Sequence, residues 1–282
     1  MTQMTSSLMP FFSLIRVSGE DRTTFLNNQL SNDINNLPIG QACLATYNTA
    51  KGRVIATLLV LKRENDLLLM AATDQITALL KKLQMYVMRS KVKLEAMPEW
   101  GVAASAPSTH FDLPSEPQYV LPTTHDNNQW SITLPDGSVI ELSKTEHLPP
   151  YDASIVTNWQ IYEINHGLAW ICAATSETCV AQMLNMQLVG AVNFKKGCYP
   201  GQEIIARAQY RGQVKRGLVK LQATAPVKEG ELIYCHDDEV GLIINQVSDL
   251  HAYLVLAVIK HDAVAEPLHT ESAELNLVTQ FF

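Results

Sequence analysis

Residues 1–100 alternate between short apolar runs and longer amphipathic stretches. Five runs have the length and residue types of strands: FFSLIRVSG, QACLATYNT, VIATLLVLKR, LLLMAAT and KVKLEAM. Before the last of them, DQITALLKKLQMYVMRS places apolar residues three and four apart, which predicts an amphipathic helix. From QACLATYNT onwards the order is strand, strand, strand, helix, strand, which favours a mostly antiparallel α+β fold over a doubly wound parallel sheet.

An earlier segment, EDRTTFLNNQLSNDINNL, also has helical periodicity. Phe25, Leu26, Leu30, Ile34 and Leu37 fall on one helical stripe. We therefore expect a helix that runs through most of residues 20–37.

The middle of the chain is less regular. Residues 105–129 carry prolines and polar residues and predict an irregular connection. WSITLP and VIELS predict two strands joined by a turn at Asp136-Gly137. SIVTNWQIYEINHGL then predicts a helix that ends at Gly167.

The last part of the chain changes character after Arg211-Gly212. KRGLVKLQA, GELIYC, VGLIINQVS and AYLVLAVIK are β-rich runs separated by turns, with no evident helix between them. Short strands in series predict a small barrel or sandwich, which we place from about residue 213.

Composition narrows the class of protein. The chain has 282 residues, 47% of them hydrophobic and 17% charged, and a net charge of -7. These values fit a globular protein with sizeable cores and predict no nucleic-acid or membrane partner, although one local basic patch could exist. The N-terminus is a poor signal peptide and no apolar run is long enough to span a bilayer, so we expect a cytoplasmic protein.

The cysteines point to a reducing compartment. There are five, an odd number, with no CxxC pair. Clustered Cys/His spacing of the kind that binds zinc is absent, so no metal site is expected.

The segment FKKGCYPGQEIIAR, residues 194–207, carries the most specific chemistry. Pro200-Gly201 fits the centre of a type II turn, and Gln202 begins a helix with Glu203 in its first turn. Cys198 thus lies before a helix N-terminus and near lysines, an environment that favours a reactive thiolate. A buried, structural cysteine is the alternative, and exposure decides between them.

KGCYPGQE resembles the K-x-C-Y-x-G-Q-E motif of the YgfZ-like proteins, members of the folate-binding superfamily of the glycine cleavage aminomethyltransferase (T-protein, GcvT). Three further stretches resemble the family in the same order: FLNNQLSNDINNL, YNTAKGRVIATLLVLKR and GLAWICAATSETCVAQMLNMQLVGAVNFKKGCYPGQEIIAR. The resemblance covers most of the chain and is weakest at residues 98–157.

The resemblance implies an α+β fold of three domains in a ring around a central cavity. Residues 1–212 would form the GcvT-like region, two intertwined α+β domains with about 43–97 in much of the second. Residues 213–282 would form a small C-terminal β-barrel.

The resemblance also implies tetrahydrofolate in the cavity and a role in assembly or maintenance of iron–sulfur clusters in selected enzymes, including tRNA-modifying ones. The expected partners are folate and iron–sulfur enzymes or their assembly proteins. Cys198 would be the reactive thiol, and the other motif residues would assist it: Lys196, Tyr199, Gln202 and Glu203.

Other residues are candidates for binding the folate. Lys51 and Arg53 could attract its glutamate tail, although a solvated turn is the alternative. Trp170, together with Trp159, could stack on a pterin, or could simply pack in a core. Asn27 and Arg207 complete the set of cofactor-binding candidates.

Two departures bear on function. Where the family often has R-I-E-A-G this chain has EINHG, so Glu163 and Asn165 replace an arginine and a glutamate and make tight tetrahydrofolate binding doubtful. A run like the T-protein's T-G-E-D-G is missing, which argues against the full aminomethyl-transfer reaction. The first hypothesis is therefore a folate-binding accessory factor. The alternatives are a folate-dependent one-carbon transferase and a pure protein-docking module.

Overall fold

A computed structural model describes residues 5–107, 113–212, 214–248 and 253–282. These ranges contain two five-stranded sheets and a closed six-stranded barrel, with few helices. Every strand pair within them is antiparallel.

In chain order the strands are β1 Ser7–Leu8, β2 Phe12–Ser18, β3 Ala42–Asn48, β4 Val54–Lys62, β5 Asp66–Ala72, β6 Lys93–Ala96, β7 Trp100–Ser105, β8 Thr123–Asp126, β9 Gln129–Thr133, β10 Val139–Lys144, β11 Arg216–Ala223, β12 Leu232–Cys235, β13 Asp238–Ser248, β14 Tyr253–Lys260, β15 Leu268–His269 and β16 Glu274–Gln280. The α-helices are α1 Arg22–Gln29, α2 Ile76–Val87, α3 Ala153–His166 and α4 Gln202–Tyr210. Single 3₁₀ turns occur at Thr73–Gln75, Thr145–His147, Ala173–Thr175, Ala181–Leu184 and His261–Ala263.

The first sheet has the order β3-β4-β5-β2-β6 and is covered on both faces. Along β4, Leu58 and Val60 pack into one hydrophobic core with residues of α1 and α2, while Leu59 and Leu61 pack into the other. Burial on both faces explains why β3, β4 and β5 are almost continuously apolar instead of alternating.

The second sheet has the order β1-β7-β10-β9-β8. Its inner residues, among them Val102, Ile132 and Leu142, share one core with α3 and with the face of the first sheet that carries Leu59 and Leu61. This shared core joins the two sheets.

The barrel closes in the order β11-β14-β13-β12-β15-β16 and has its own apolar interior. The four β-rich runs of the sequence correspond to β11–β14, so the predicted barrel is confirmed. Strands β15 and β16 complete it and were not predicted from the sequence. The domain boundary near residue 213 stays a prediction.

The helix expected across residues 20–37 ends at Gln29. Leu30 instead forms an isolated bridge with Tyr47. The Asn27 side chain accepts hydrogen bonds from the backbone N–H groups of Ile34 and Asn35, so it competes with helical bonding. Leu30, Ile34 and Leu37 are buried all the same, because the loop folds onto the first sheet.

The connection expected to be irregular at residues 105–129 is partly ordered. Thr123–Asp126 forms the edge strand β8, paired with β9, which the sequence prediction missed. Residues 108–112 of that prediction lie outside the described ranges.

Candidate functional site

A cavity of about 450 Å³ lies where the first sheet, α3 and the barrel meet. Phe12 and Ala72 come from β2 and β5, Trp159 and Glu163 from α3, and Asn245 from β13. Its lining comes from parts of the chain that are distant in sequence. A cavity of this size, mostly apolar with a few polar groups, is typical of a small-molecule site.

Aromatic rings form much of the cavity wall. The Trp159 ring lies 6.0 Å from that of Phe11, nearly parallel to it, and 5.8 Å from that of Phe12. The Trp170 ring meets Phe12 edge to face at 5.0 Å. The Trp159 indole N–H is buried and has no hydrogen-bond partner in the described chain.

A pair of buried acids adjoins this wall, and one of them, Glu163, also lines the cavity. Asp136 and Glu163 are 0% and 3% exposed. The Ser138 hydroxyl lies 2.8 Å from Asp136 Oδ1 and 2.9 Å from Glu163 Oε1. A hydroxyl has one proton to donate, so both contacts can be hydrogen bonds only if one carboxyl is itself protonated.

The proton belongs on Glu163. Burial, and then the charge of Asp136, raises the pKa of Glu163 well above its ordinary value of 4.5. Glu163 Oε2 accepts a hydrogen bond of 2.9 Å from Trp170 Nε1. The neutral acid therefore fixes the orientation of the Trp170 indole in the cavity wall.

The raised pKa of Glu163 bears on the charge reversal that was expected in the EINHG run. Glu163 was expected to reverse a charge, but burial and the charge of Asp136 raise its pKa and favour the neutral acid. Asn165 is exposed and accepts a hydrogen bond from Lys220 Nζ at 2.9 Å, outside the cavity lining. A neutral carboxylic acid still cannot replace a guanidinium donor, so the doubtful affinity for tetrahydrofolate stays a prediction.

The motif loop forms a second site. Gly201 has φ 80° and ψ 0°, and Gln202 N–H donates to Tyr199 O at 3.2 Å, as the predicted type II turn requires. A Cβ at Gly201 would lie 2.5 Å from Thr49 O and 2.6 Å from Gly52 Cα. The motif turn is thus pressed against the turn between β3 and β4.

Lys196 anchors this loop to α1. Its side chain is buried, and Nζ donates to Asn27 O at 2.5 Å and to Leu30 O at 2.8 Å. The ammonium also lies 4.7 Å from the centre of the Tyr199 ring. Burial lowers the pKa of Lys196 to about 8, against the opposing effects of Asp33 and Cys198.

Cys198 is exposed, which removes the alternative of a buried structural cysteine. No hydrogen-bond partner of its thiol occurs in the described ranges. Of the other motif residues, Tyr199 is buried and its pKa is raised by burial, Gln202 is half-buried, and Glu203 is exposed in the first turn of α4. Their roles in chemistry stay predictions.

The structure separates the candidate cofactor residues. Trp170 lines the cavity, whereas Asn27, Lys51, Arg53 and Arg207 do not. Asn27 is buried beside Lys196, and Lys51 and Arg53 are exposed in the turn that packs on the motif. The Arg53 guanidinium donates to Thr178 O, and Arg207 is exposed in the last turn of α4.

The sequence analysis missed Phe11, Phe12 and the acid pair. Asp136 was assigned only to a turn, and Glu163 only to a departure from a motif. Glu163 follows Trp159 by four residues and so shares its helical face, which was the available signal. Nothing in the sequence joins Asp136 to that face.

Within the described ranges, the structure offers no cluster of three His, Cys, Asp or Glu side chains suited to a metal ion. No helix there combines the length and apolar content needed to cross a bilayer.

Comparison with solved structures identifies the class. The glycine cleavage system aminomethyltransferase T from Bartonella henselae superposes with a TM-score of 0.66 over 99% of this chain and 86% of that chain, at 12% sequence identity. The protein thus has the aminomethyltransferase fold, and the predicted fold class is confirmed: α+β, mostly antiparallel sheets, and a terminal small barrel.

Curated relatives narrow the class to a family. The tRNA-modifying protein YgfZ of Yersinia pestis is 30% identical over 232 residues, covering 76% of this chain and 69% of the relative. The tRNA-modifying protein YgfZ of Colwellia psychrerythraea is 28% identical over 240 residues, covering 79% and 73%. No protein-family model matches the chain. The chain belongs to the YgfZ family.

Proposed function

We propose that this protein is a folate-binding accessory factor for the assembly or maintenance of iron–sulfur clusters in selected enzymes, including tRNA-modifying ones. The observation that carries the proposal is the aromatic central cavity, in a protein that also exposes a cysteine on a tightly held motif loop. The relatives named tRNA-modifying proteins support the choice of client enzymes.

The cavity suits the ring system of a folate. Trp159, Trp170 and the two phenylalanines supply flat apolar surfaces for a pterin and an aminobenzoyl ring. The amides of Gln160 and Gln246 supply polar contacts. A reduced folate would bring one-carbon chemistry, and these residues would hold and orient it.

The cavity lining has no matching partner for the folate's glutamate tail. Among the described residues it contains no lysine or arginine, and it does contain Asp74 and Glu229. We therefore expect the tail to extend into solvent. Mono- and polyglutamylated tetrahydrofolates should then bind with similar affinity.

Cys198 would act on a partner protein. Its thiol is exposed, and Lys196 and the Gly201 turn hold its loop in place. A single thiolate cannot hold an iron–sulfur cluster, because such clusters need several thiolate ligands. The partner enzyme or assembly protein would supply the others. The cluster is cargo in this proposal.

Tryptophan fluorescence tests the folate half of the proposal. Titration with 5-formyltetrahydrofolate should quench the emission of the wild-type protein, and Trp170→Leu should weaken binding at least tenfold. Trp130→Phe is the matched control, since Trp130 stacks on His125 and does not line the cavity. Absence of saturable binding to the wild type would refute a folate site.

Complementation tests the cysteine half. In cells lacking the protein, we would assay an iron–sulfur tRNA-modifying enzyme after restoring wild type or Cys198→Ser at matched levels. Rescue by wild type alone supports thiol chemistry, and rescue by both indicates that the loop docks by shape. No defect in the empty strain refutes cluster maintenance. Tetrahydrofolate-dependent release of formaldehyde by the purified protein would favour the one-carbon transferase.

A further inference from the structure

Exposed cations lie in and next to the motif segment and on the β3–β4 turn that packs against it, in a protein whose net charge is -7. They are Lys51, Arg53, Lys195, Arg207 and Arg211. Among the described residues, none of the five takes part in an ion pair. The aromatic cavity does not use them either. We call this group the basic surface.

Packing places the other cations of the basic surface next to α4. The turn that carries Lys51 and Arg53 is pressed against α4, since a Cβ at Gly52 would lie 3.0 Å from Ile204 Cβ. At the other end of α4, the Tyr210 ring lies 5.7 Å from Phe194, the neighbour of Lys195. The two groups of cations therefore lie next to the two ends of one short helix.

The exposed side of α4 carries the remaining two cations. Ile205 is fully buried, so the opposite side of the helix faces solvent. Arg207 lies on that outer face, and Arg211 follows one turn later. Glu203, the exposed acid of α4, offsets part of this positive charge.

An aromatic side chain accompanies the cations. Tyr210 is 70% exposed, and its ring packs edge to face with that of Phe194. Cations that follow a backbone, together with an exposed ring on which a base stacks, are the features of single-strand binding surfaces. Ile204, 41% exposed, is the other sizeable apolar side chain of α4 in contact with solvent.

We propose that the basic surface binds single-stranded nucleic acid, with its cations on phosphates and Tyr210 stacked on a base. Nucleic-acid interfaces are more polar and much more positive than protein interfaces, which need an apolar core. The surface has abundant unpaired positive charge and little exposed apolar area, so a polyphosphate fits it better than an acidic protein. The net charge of the whole chain, from which no nucleic-acid partner was expected, does not describe this local surface.

Fluorescence anisotropy with labelled twelve-nucleotide RNA and DNA of one sequence tests the proposal. Wild type should bind, and its affinity should fall about 50-fold between 50 and 200 mM salt if about four phosphates are contacted. The RNA and DNA arms decide which polymer is preferred. This site is independent of the proposed folate cavity, so either can fail alone.

Variants locate the binding. The double variant Arg207→Gln/Arg211→Gln should roughly halve the salt slope, because about two phosphate contacts are lost. Tyr210→Leu should weaken binding about tenfold and leave the slope unchanged. The control Lys91→Gln/Lys93→Gln removes two exposed lysines near the opposite edge of the first sheet and should bind like wild type.

Three results would overturn the proposal. The first is no binding of either oligonucleotide by folded wild type at 50 mM salt. The second is an equal effect of the arginine and lysine double variants. The third is that polyglutamate displaces the labelled oligonucleotide as effectively, per unit of charge, as unlabelled RNA does. That result would indicate a surface for acidic proteins instead.

Discussion

Replacing Lys196 with methionine tests whether the motif lysine is a structural anchor. Methionine keeps the apolar stem but leaves the buried carbonyls of Asn27 and Leu30 without the ammonium donor. Two hydrogen bonds to a charged group contribute about 3–6 kcal/mol, and the cation–π contact with Tyr199 adds about 0.5–2. Removing a buried charge recovers part of this, because the lowered pKa of Lys196 reports a cost of burying the ammonium. We expect a net loss of about 2–4 kcal/mol in the free energy of unfolding.

Urea unfolding followed by circular dichroism measures this loss. The matched control is Lys195→Met, since Lys195 is the adjacent lysine and is exposed. A surface substitution of this kind should change the free energy of unfolding by less than about 0.5 kcal/mol. Equal, small losses in both variants would show that Lys196 does not anchor the loop.

The pH dependence provides a second readout of the same residue. The pKa of Lys196 falls from 10.5 to about 8 on folding. Between those values the unfolded chain holds a proton that the folded chain has released, so the contribution of Lys196 to stability grows as pH rises. The stability difference between wild type and Lys196→Met should therefore widen from pH 8 to pH 10. A constant difference would contradict the lowered pKa.

Three further predictions follow from the two sites. Glu163→Gln should lower the free energy of unfolding more at pH 5 than at pH 8, because a raised pKa makes the contribution of Glu163 to stability fall as pH rises. Equal losses at the two pH values, measured by urea unfolding, would show that Glu163 holds no proton. Gly201→Ala should lower the free energy of unfolding by at least about 2 kcal/mol, because its Cβ would clash with the turn between β3 and β4. The control Gly197→Ala should change it very little, because a Cβ there meets no atom within 4 Å. Similar thermal midpoints of the two variants would argue against the contact between the two turns. Cys198 should give the fast phase of thiol titration with an aromatic disulfide, lost in Cys198→Ser, while Cys43, with a pKa raised to about 12 by burial, reacts only on unfolding.

Local pattern in the sequence was enough for most of the elements. Strands β3, β4 and β5 follow from their apolar runs, and α3 from its periodicity and the left-handed Gly167 that ends it. The turn at Pro200-Gly201 and helix α4 follow from residue types whose backbone preferences are strong. In the same way, the motif and its order with the other matching stretches identified the family.

Other features depended on contacts between residues far apart in sequence. Helix α1 stops at Gln29 because Asn27 bonds to backbone groups seven and eight residues ahead, a competition that periodicity does not report. Lys196 resembles any motif cation until folding buries it under α1.

The functional sites show the same division. The sequence determined that Cys198 precedes a helix and that Trp170 is aromatic, but not that the thiol is exposed or that the ring lines a cavity. Tertiary structure alone buried Glu163 and placed Asp136 beside it, and burial together with this contact raises the pKa of Glu163. Exposure and pKa depend on what the whole fold packs around a group, whereas backbone preference and periodicity belong to the residues themselves.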